Sequence, residues 1–195
     1  MAAHPPTAWR DCLLVGLPLA LRPERDADRD ALIAVYDAAR ADELDRAPWP
    51  PGQRERFVAH QFELQRTQYR AHYPGADFLV IEREGVVVGR VYLHRGAHEL
   101  RLMDMALLPE LRQRGIGTRL LRDLVAWCDG VPCPLTLHVE PFNPAYRLYR
   151  RFGFTWRRST GIYHFLERVP GTPCGEAGMS AWPRGEPGTR ADSVS

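Results

Sequence analysis

A chain of 195 residues with 45% hydrophobic content can bury one substantial core, and at roughly 100 to 200 residues per domain it suits a single one. Its 26 basic side chains are all arginine and are interspersed with 24 acidic ones for a formal net charge of +2, so no basic block marks a nucleic-acid partner. Cys12, Cys128, Cys133 and Cys174 show no C-x-x-C spacing and no neighbouring histidine pair, which argues against a metal site or a disulfide framework and for reduced thiols in a cytoplasmic setting.

Residues 1–9, with Pro5-Pro6 and few large apolar groups, read as a loose lead-in. The apolar run 12–21 follows an acidic residue, Asp11, and falls well short of the ~20 residues that span a bilayer, so it is read as a first strand and no membrane partner is expected. Leu32, Ile33, Val35, Tyr36 and Ala39 recur at helical spacing after Asp28 or Asp30, and a second helix is expected over Gln53–His72. Apolar runs at 78–82 and 86–93 flank Arg83-Glu84-Gly85 as a hairpin, and 100–108 makes a third strand.

Residues 116–128 then place Ile116, Leu120, Leu124 and Trp127 or Cys128 on one stripe, with Arg119, Arg122 and Asp123 outward. The run Leu135–Val139 between Pro134 and Pro141 has the signature of a buried strand, so strand, helix and strand form a right-handed parallel unit. Segments 154–157 and 162–167 around Gly161 close the chain as a hairpin, and the Pro- and Gly-rich residues 170–195 are expected to be disordered. The fold class is therefore α/β, a mostly antiparallel mixed sheet with one parallel strand pair and flanking helices, in one domain over 10–169.

Between the third strand and the helix lies Arg112-Gln113-Arg114-Gly115-Ile116-Gly117-Thr118. Backbone N–H groups entering a helix N-terminus lack intrahelical acceptors, and the helix dipole adds roughly half a positive charge there. Gly115 and Gly117 leave that backbone open to close approach, and Arg112 and Arg114 add charge, so the loop suits a diphosphate. The same glycines also suit an ordinary tight strand-to-helix turn.

A second signal lies downstream in Asn143-Pro144-Ala145-Tyr146-Arg147-Leu148-Tyr149-Arg150-Arg151-Phe152-Gly153-Phe154. In order and spacing the two segments resemble the GNAT N-acetyltransferase pattern, an R/Q-x-x-G-x-G/A loop and helix, a strand, then N-P-A-x-x-L-Y-x-x-x-G-F. Leu19 to Arg22 with Pro23 and Asp28 is similar to the family's opening strand and first helix start, so the likeness covers residues 19–168. The resemblance implies acetyl-CoA as acyl donor without a metal, held by Met105, Ala106, Leu107, the 112–118 loop, Asn143 and Tyr149. It also implies a splayed parallel pair, with the thioester carbonyl along 105–107.

The same likeness implies roles for the reacting groups. The Leu107 N–H is the oxyanion donor, since splayed strands leave amides without ladder partners. Tyr149 matches the family tyrosine that protonates the departing sulfur; its alternative is a packed helix aromatic, with Tyr146 one turn earlier a similar candidate. Asn143 either bonds the pantetheine arm or caps the helix. Glu99 and Asp104 are candidate bases, although each reads first as a solvated or structural carboxylate, and Asp104 has the wrong strand parity unless a bulge resets it. His94, His98, His138 and His164 are further proton acceptors by type.

Acceptor recognition is assigned to Gln68, Tyr69, Tyr73 and Tyr163, which imply a polar, aromatic-lined mouth, while the helix face that carries the first three reads equally as an ordinary solvated one. The expected partner is a small-molecule or peptide amine, and a homodimer is compatible with the sequence. The leading activity is acetyl transfer to a primary amine by direct attack in a ternary complex. The alternative is a catalytically silent acyl-CoA-binding regulatory module.

Overall fold

The computed structural model describes residues 8–174. Seven strands, β1 (Ala20–Pro23), β2 (Asp77–Arg83), β3 (Val86–Arg95), β4 (Leu100–Leu107), β5 (Leu135–Val139), β6 (Thr155–Thr160) and β7 (Tyr163–Arg168), form one sheet in the order β1-β2-β3-β4-β5-β7-β6. Neighbours are antiparallel except β4 and β5, which run parallel. Helices α5 (Ile116–Gly130) and α6 (Tyr146–Arg151) belong to the larger core, with α1 (Ala8–Cys12) beside α5, while α2 (Arg29–Ala39), α3 (Ala41–Leu44) and α4 (Gln53–His72) build a smaller one against β2 and β3. Among the described residues no helix is long and apolar enough to cross a membrane.

Local sequence explains most of these elements. In α5 the buried residues Ile116, Leu120, Leu121, Leu124, Val125 and Cys128 recur at three- and four-residue steps and lie on one face. Residues 87–93 of β3 are buried without alternation, as a central strand covered on both faces must be. Glu84 and Gly85, at φ 53° and 78°, form the two-residue left-handed turn that joins β2 to β3.

At Gly89 the absence of a side chain is a packing requirement. A Cβ there would sit 2.6 Å from the Ala106 carbonyl oxygen and 2.7 Å from Leu107 Cδ2, and backbone cannot swing aside as a flexible side chain does. Gly89→Ala is expected to destabilise the fold by about 1–3 kcal/mol through overpacking. The loss is read in the urea midpoint, and an unchanged midpoint would show that β4 yields freely.

Residues 12–21 depart from the strand expected of them. Only Ala20 and Leu21 join β1, while Leu13 and Leu14, 5% and 2% exposed, pack into the larger core as a turn. The Leu14 N–H donates to Asp123 Oδ2 at 2.8 Å and Arg119 Nε to Asp123 Oδ1 at 2.8 Å, so Asp123 faces inward and not outward. A short apolar run satisfies a buried turn as well as a strand, which is why periodicity misassigns it.

The far end also differs from expectation, since residues 170–174 are folded onto the domain. Arg168, 1% exposed, donates to Asp129 at 2.7 and 3.0 Å, to the Phe152 carbonyl at 2.8 Å and to the Thr172 carbonyl at 2.7 Å, and the Gly171 N–H reaches Asp129 at 2.7 Å. Most of the tail and lead-in, residues 1–7 and 175–195, lie outside the described residues.

Hydrogen bonds from Arg168 hold the Asp129 carboxyl below its ordinary range, against an opposing push from burial. A depressed carboxylate contributes stability that is complete above its unfolded value and is lost as pH falls through the folded one. Asp129→Ala leaves a buried guanidinium without its partner and is expected to cost about 3 kcal/mol at pH 7. In thermal melts the gap from wild type narrows below about pH 4; a gap independent of pH would contradict the ion pair's role.

Candidate functional site

The cleft begins where β4 and β5 part. Their parallel pairing runs only from Leu100↔Leu135 to Leu102↔Leu137, although β4 continues to Leu107. Against β3 the register passes from Leu93↔Leu102 to Tyr92↔Asp104, so Met103 is an extra residue in β4. Such a bulge bends the strand and reverses the alternation of its side chains beyond it. The Leu108 N–H donates to the Val88 carbonyl at 2.9 Å; alternation therefore turns the Ala106 amide toward β3 and those of Met105 and Leu107 toward the opening. Two strand donors thus face a space that no strand fills.

The loop before α5 closes one end of this opening. Gln113 and Gly115 are left-handed, at φ 59° and 79°, and the first intrahelical bond of α5 runs from the Arg119 N–H to the Gly115 carbonyl at 2.8 Å. The amides of Ile116, Gly117 and Thr118 therefore precede any intrahelical acceptor. A Cβ on Gly117 would meet only Met105 Cε at 3.7 Å and Sδ at 3.9 Å, ordinary contact distances. Nothing in the protein's own packing requires glycine at 117, while the bare backbone is what a close-approaching anion needs.

The two loop arginines have different fates. Arg112 donates through Nε to the Leu107 carbonyl at 2.9 Å and through Nη2 to the Ala38 carbonyl at 2.8 Å, so it ties loop, β4 and α2 together and is not a loose charge over the cradle. Arg114 is exposed and has no carboxylate partner among the described residues.

Helix α6 delivers Tyr149. The Ala145 N–H donates to Asn143 Oδ1 at 2.9 Å, so the exposed Asn143 secures the turn that leads into the helix. The Tyr149 ring is 8% exposed and packs edge-on to Phe154 at 5.7 Å, yet its hydroxyl has no hydrogen-bond partner among the described residues. Burial, with a contribution from the Asp104 charge, pushes its pKa up to about 12. Tyr146 is placed differently, its hydroxyl 2.5 Å from His164 Nδ1.

Both candidate acids are ion-paired. Glu99 accepts from Arg101 Nη2 at 2.5 Å, at the closed end of β4 before the splay. The Met103 bulge brings Asp104 onto the Arg101 side of the sheet, where its Oδ2 lies 2.5 Å from Arg90 Nη2. Arg90 is 2% exposed, ringed by Tyr36, Phe62 and Tyr92 at 5.1–5.8 Å, and donates to Gln65 Oε1 at 2.9 Å. Its Nε and Nη1 have no hydrogen-bond partner. Neither acid is thus an unengaged base, and Arg90 is a site neighbour that motif matching leaves out; its one sequence signal is a lone charge inside the apolar run of β3.

Of the residues assigned to acceptor recognition, Tyr69 and Tyr73 converge. The Tyr69 hydroxyl reaches the Met103 carbonyl at 3.5 Å, and Tyr73 stacks edge-on to Tyr69 at 6.4 Å and accepts from Arg101 at 3.2 Å, while Tyr163 is exposed at the start of β7. Gln68 is exposed on the outer side of α4, because the inward stripe runs through Val58, Phe62, Gln65 and Tyr69. His138, on β5 just past the last parallel pair, has its pKa lowered by partial burial and then by Arg101 and Arg158.

A sequence profile of the Acetyltransferase (GNAT) family matches residues 34–154, from α2 through α6 to Phe154. A Mus musculus protein, cysteine-rich protein 2-binding protein, is 32% identical over 83 residues, 42% of this chain and 10% of that one, so the chain spans about a tenth of its length. A candidate ribosomal protein bS18-alanine N-acetyltransferase of Bacillus subtilis (strain 168) is 26% identical over 110 residues, 49% of this chain and 73% of that one. Among solved structures, the PaiA N-acetyltransferase of Thermoplasma acidophilum in complex with coenzyme A superposes with a TM-score of 0.58 at 18% identity, covering 77% of this chain and 98% of that one. Splayed parallel strands, a glycine loop at a helix start and a profile match across most of the folded domain together make this chain a member of the GNAT acetyltransferase family.

Proposed function

We propose that the chain is an acetyl-CoA-dependent N-acetyltransferase that acetylates a primary amine by direct attack within a ternary complex, in one cytoplasmic domain over residues 10–169. The observation that carries the reading is Gly117, a glycine in the first turn of α5 that the protein's own packing does not require, beside strand amides that face open space. Glycine there costs a helix up to about 1 kcal/mol relative to alanine, and a bound diphosphate explains its presence.

Bound acetyl-CoA would supply the thioester, with its pyrophosphate against Ile116–Thr118 and Arg114 and its arm along 105–107. The Leu107 N–H, turned to the opening, would stabilise the oxygen of the tetrahedral intermediate. Tyr149, kept protonated by burial, would give its proton to the departing sulfur. Asp104, whose Oδ2 is ion-paired with Arg90 yet has no hydrogen-bond partner among the described residues, would draw the acceptor ammonium in and take up its proton through water.

The test is release of free thiol from acetyl-CoA in the presence of a panel of primary amines, beside calorimetric titration with coenzyme A. The ion pairing of Glu99 and Asp104 is the observation that favours a second reading, a silent acyl-CoA-binding regulatory module. Binding without turnover across chemically diverse amines would establish that module in place of the enzyme.

A further inference from the structure

Four strands place side chains in two adjacent rows on the sheet face opposite α5. Arg101 of β4 lies in register with Thr136 of β5, His138 of β5 with Phe165 of β7, and Phe165 with Arg158 of β6. The polar members gather around one ring: His138 lies 5.1 Å from Phe165 between centroids, Arg101 5.9 Å and Arg158 4.3 Å from it. Thr136, 1% exposed on the same face, has a hydroxyl with no hydrogen-bond partner.

The charges on this face do not cancel. Arg101 is taken by Glu99 and Tyr73, and Arg157, the extra residue of a β6 bulge, by Glu167 at 2.6 Å. Arg158 is exposed, stacks on Phe165 and has no carboxylate among the described residues. This sheet face therefore carries a carboxylate at Asp104 on β4 and an uncompensated guanidinium at Arg158 on β6. Three paired strand spacings from β4 to β6 are roughly 14 Å, a lower bound at Asp104 because β4 and β5 have parted there, so an extended chain spans it in no fewer than about four residues, less the reach of the two side chains that meet at its end.

We propose that the acceptor is a peptide whose free α-amine enters at the Asp104 end and whose acidic side chain, at its third or fourth residue, is held by Arg158. The inference rests on the acetyl-transfer reading and adds a substrate class to it. A carboxylate on Arg158 gains charge-assisted hydrogen bonds, whereas a lysine there meets like charge.

The experiment uses three tetrapeptides that differ only by Glu, Gln or Lys at both of the last two positions, with amidated C-termini and saturating acetyl-CoA. For the full chain, kcat/KM is expected to fall in the order Glu, Gln, Lys, by about tenfold per step and mainly through KM. Arg158→Gln flattens the series and Arg158→Glu reverses it, and because each result is a ratio within one variant, partial misfolding does not disturb it. Equal kcat/KM across the series in the unaltered chain, or an order that survives Arg158→Glu, overturns the acidic-peptide inference and leaves acetyl transfer standing. Coenzyme A binding without turnover of any tetrapeptide or any amine of the panel removes the acetyl-transfer reading itself.

Discussion

Gly117→Glu is expected to leave the domain folded and to abolish useful coenzyme A binding. The new Cβ meets only the flexible Met105 thioether at 3.7–3.9 Å. Glutamate is also a better helix residue than glycine, and its charge suits a helix N-terminus. The melting temperature should therefore hold or rise slightly. The same carboxylate stands among the amides of Ile116–Thr118, competes for their hydrogen bonds and repels the incoming diphosphate. A loss of at least about 100-fold in affinity, roughly 2.7 kcal/mol, is expected by calorimetry. Wild-type affinity in the variant would move the phosphate site to another part of the molecule.

Tyr149→Phe is expected to separate catalysis from both stability and binding. The hydroxyl makes no hydrogen bond within the described protein, so its removal orphans no partner, and the edge-on contact with Phe154 at 5.7 Å survives. The proton for the departing sulfur is lost, and kcat should fall by about 100-fold with KM for acetyl-CoA and the melting temperature unchanged. Because burial pushes the Tyr149 pKa up to about 12, the group stays protonated through the neutral and mildly alkaline range. The wild-type rate should accordingly show no loss below about pH 10 that Tyr149→Phe abolishes. Tyr146→Phe is the matched control, since that hydroxyl is already committed to His164 at 2.5 Å. A rate that drops equally in both variants would deny Tyr149 a special role.

How far the site was legible depends on the kind of signal. The 112–118 loop and the 143–154 segment are runs of neighbouring residues whose glycines, caps and periodicity act locally, and the structure places them at the head of α5 and along α6. Asp104 was legible only conditionally, because its face depends on the Met103 bulge, a property of how β3 and β4 pair. Gln68 and Gln65 show the same limit within one helix. Both are plausible polar contacts by type, yet the rotation of α4 on the sheet turns Gln65 to Arg90 and leaves Gln68 in solvent.

The sequence by itself determined the order of strands and helices from β2 onward, the span Gln53–His72 of the longest helix, the strand Leu135–Val139, and the family pattern, because periodicity, turn residues and helix starts operate within a few residues. Only the tertiary structure decided that 13–16 packs as a turn against α5, that residues 170–174 close over Arg168, and that Glu99 and Asp104 each meet an arginine. Those outcomes depend on strand register, bulges and helix rotation, which are set when distant segments compete to bury the same apolar surface and leave no charge unpaired.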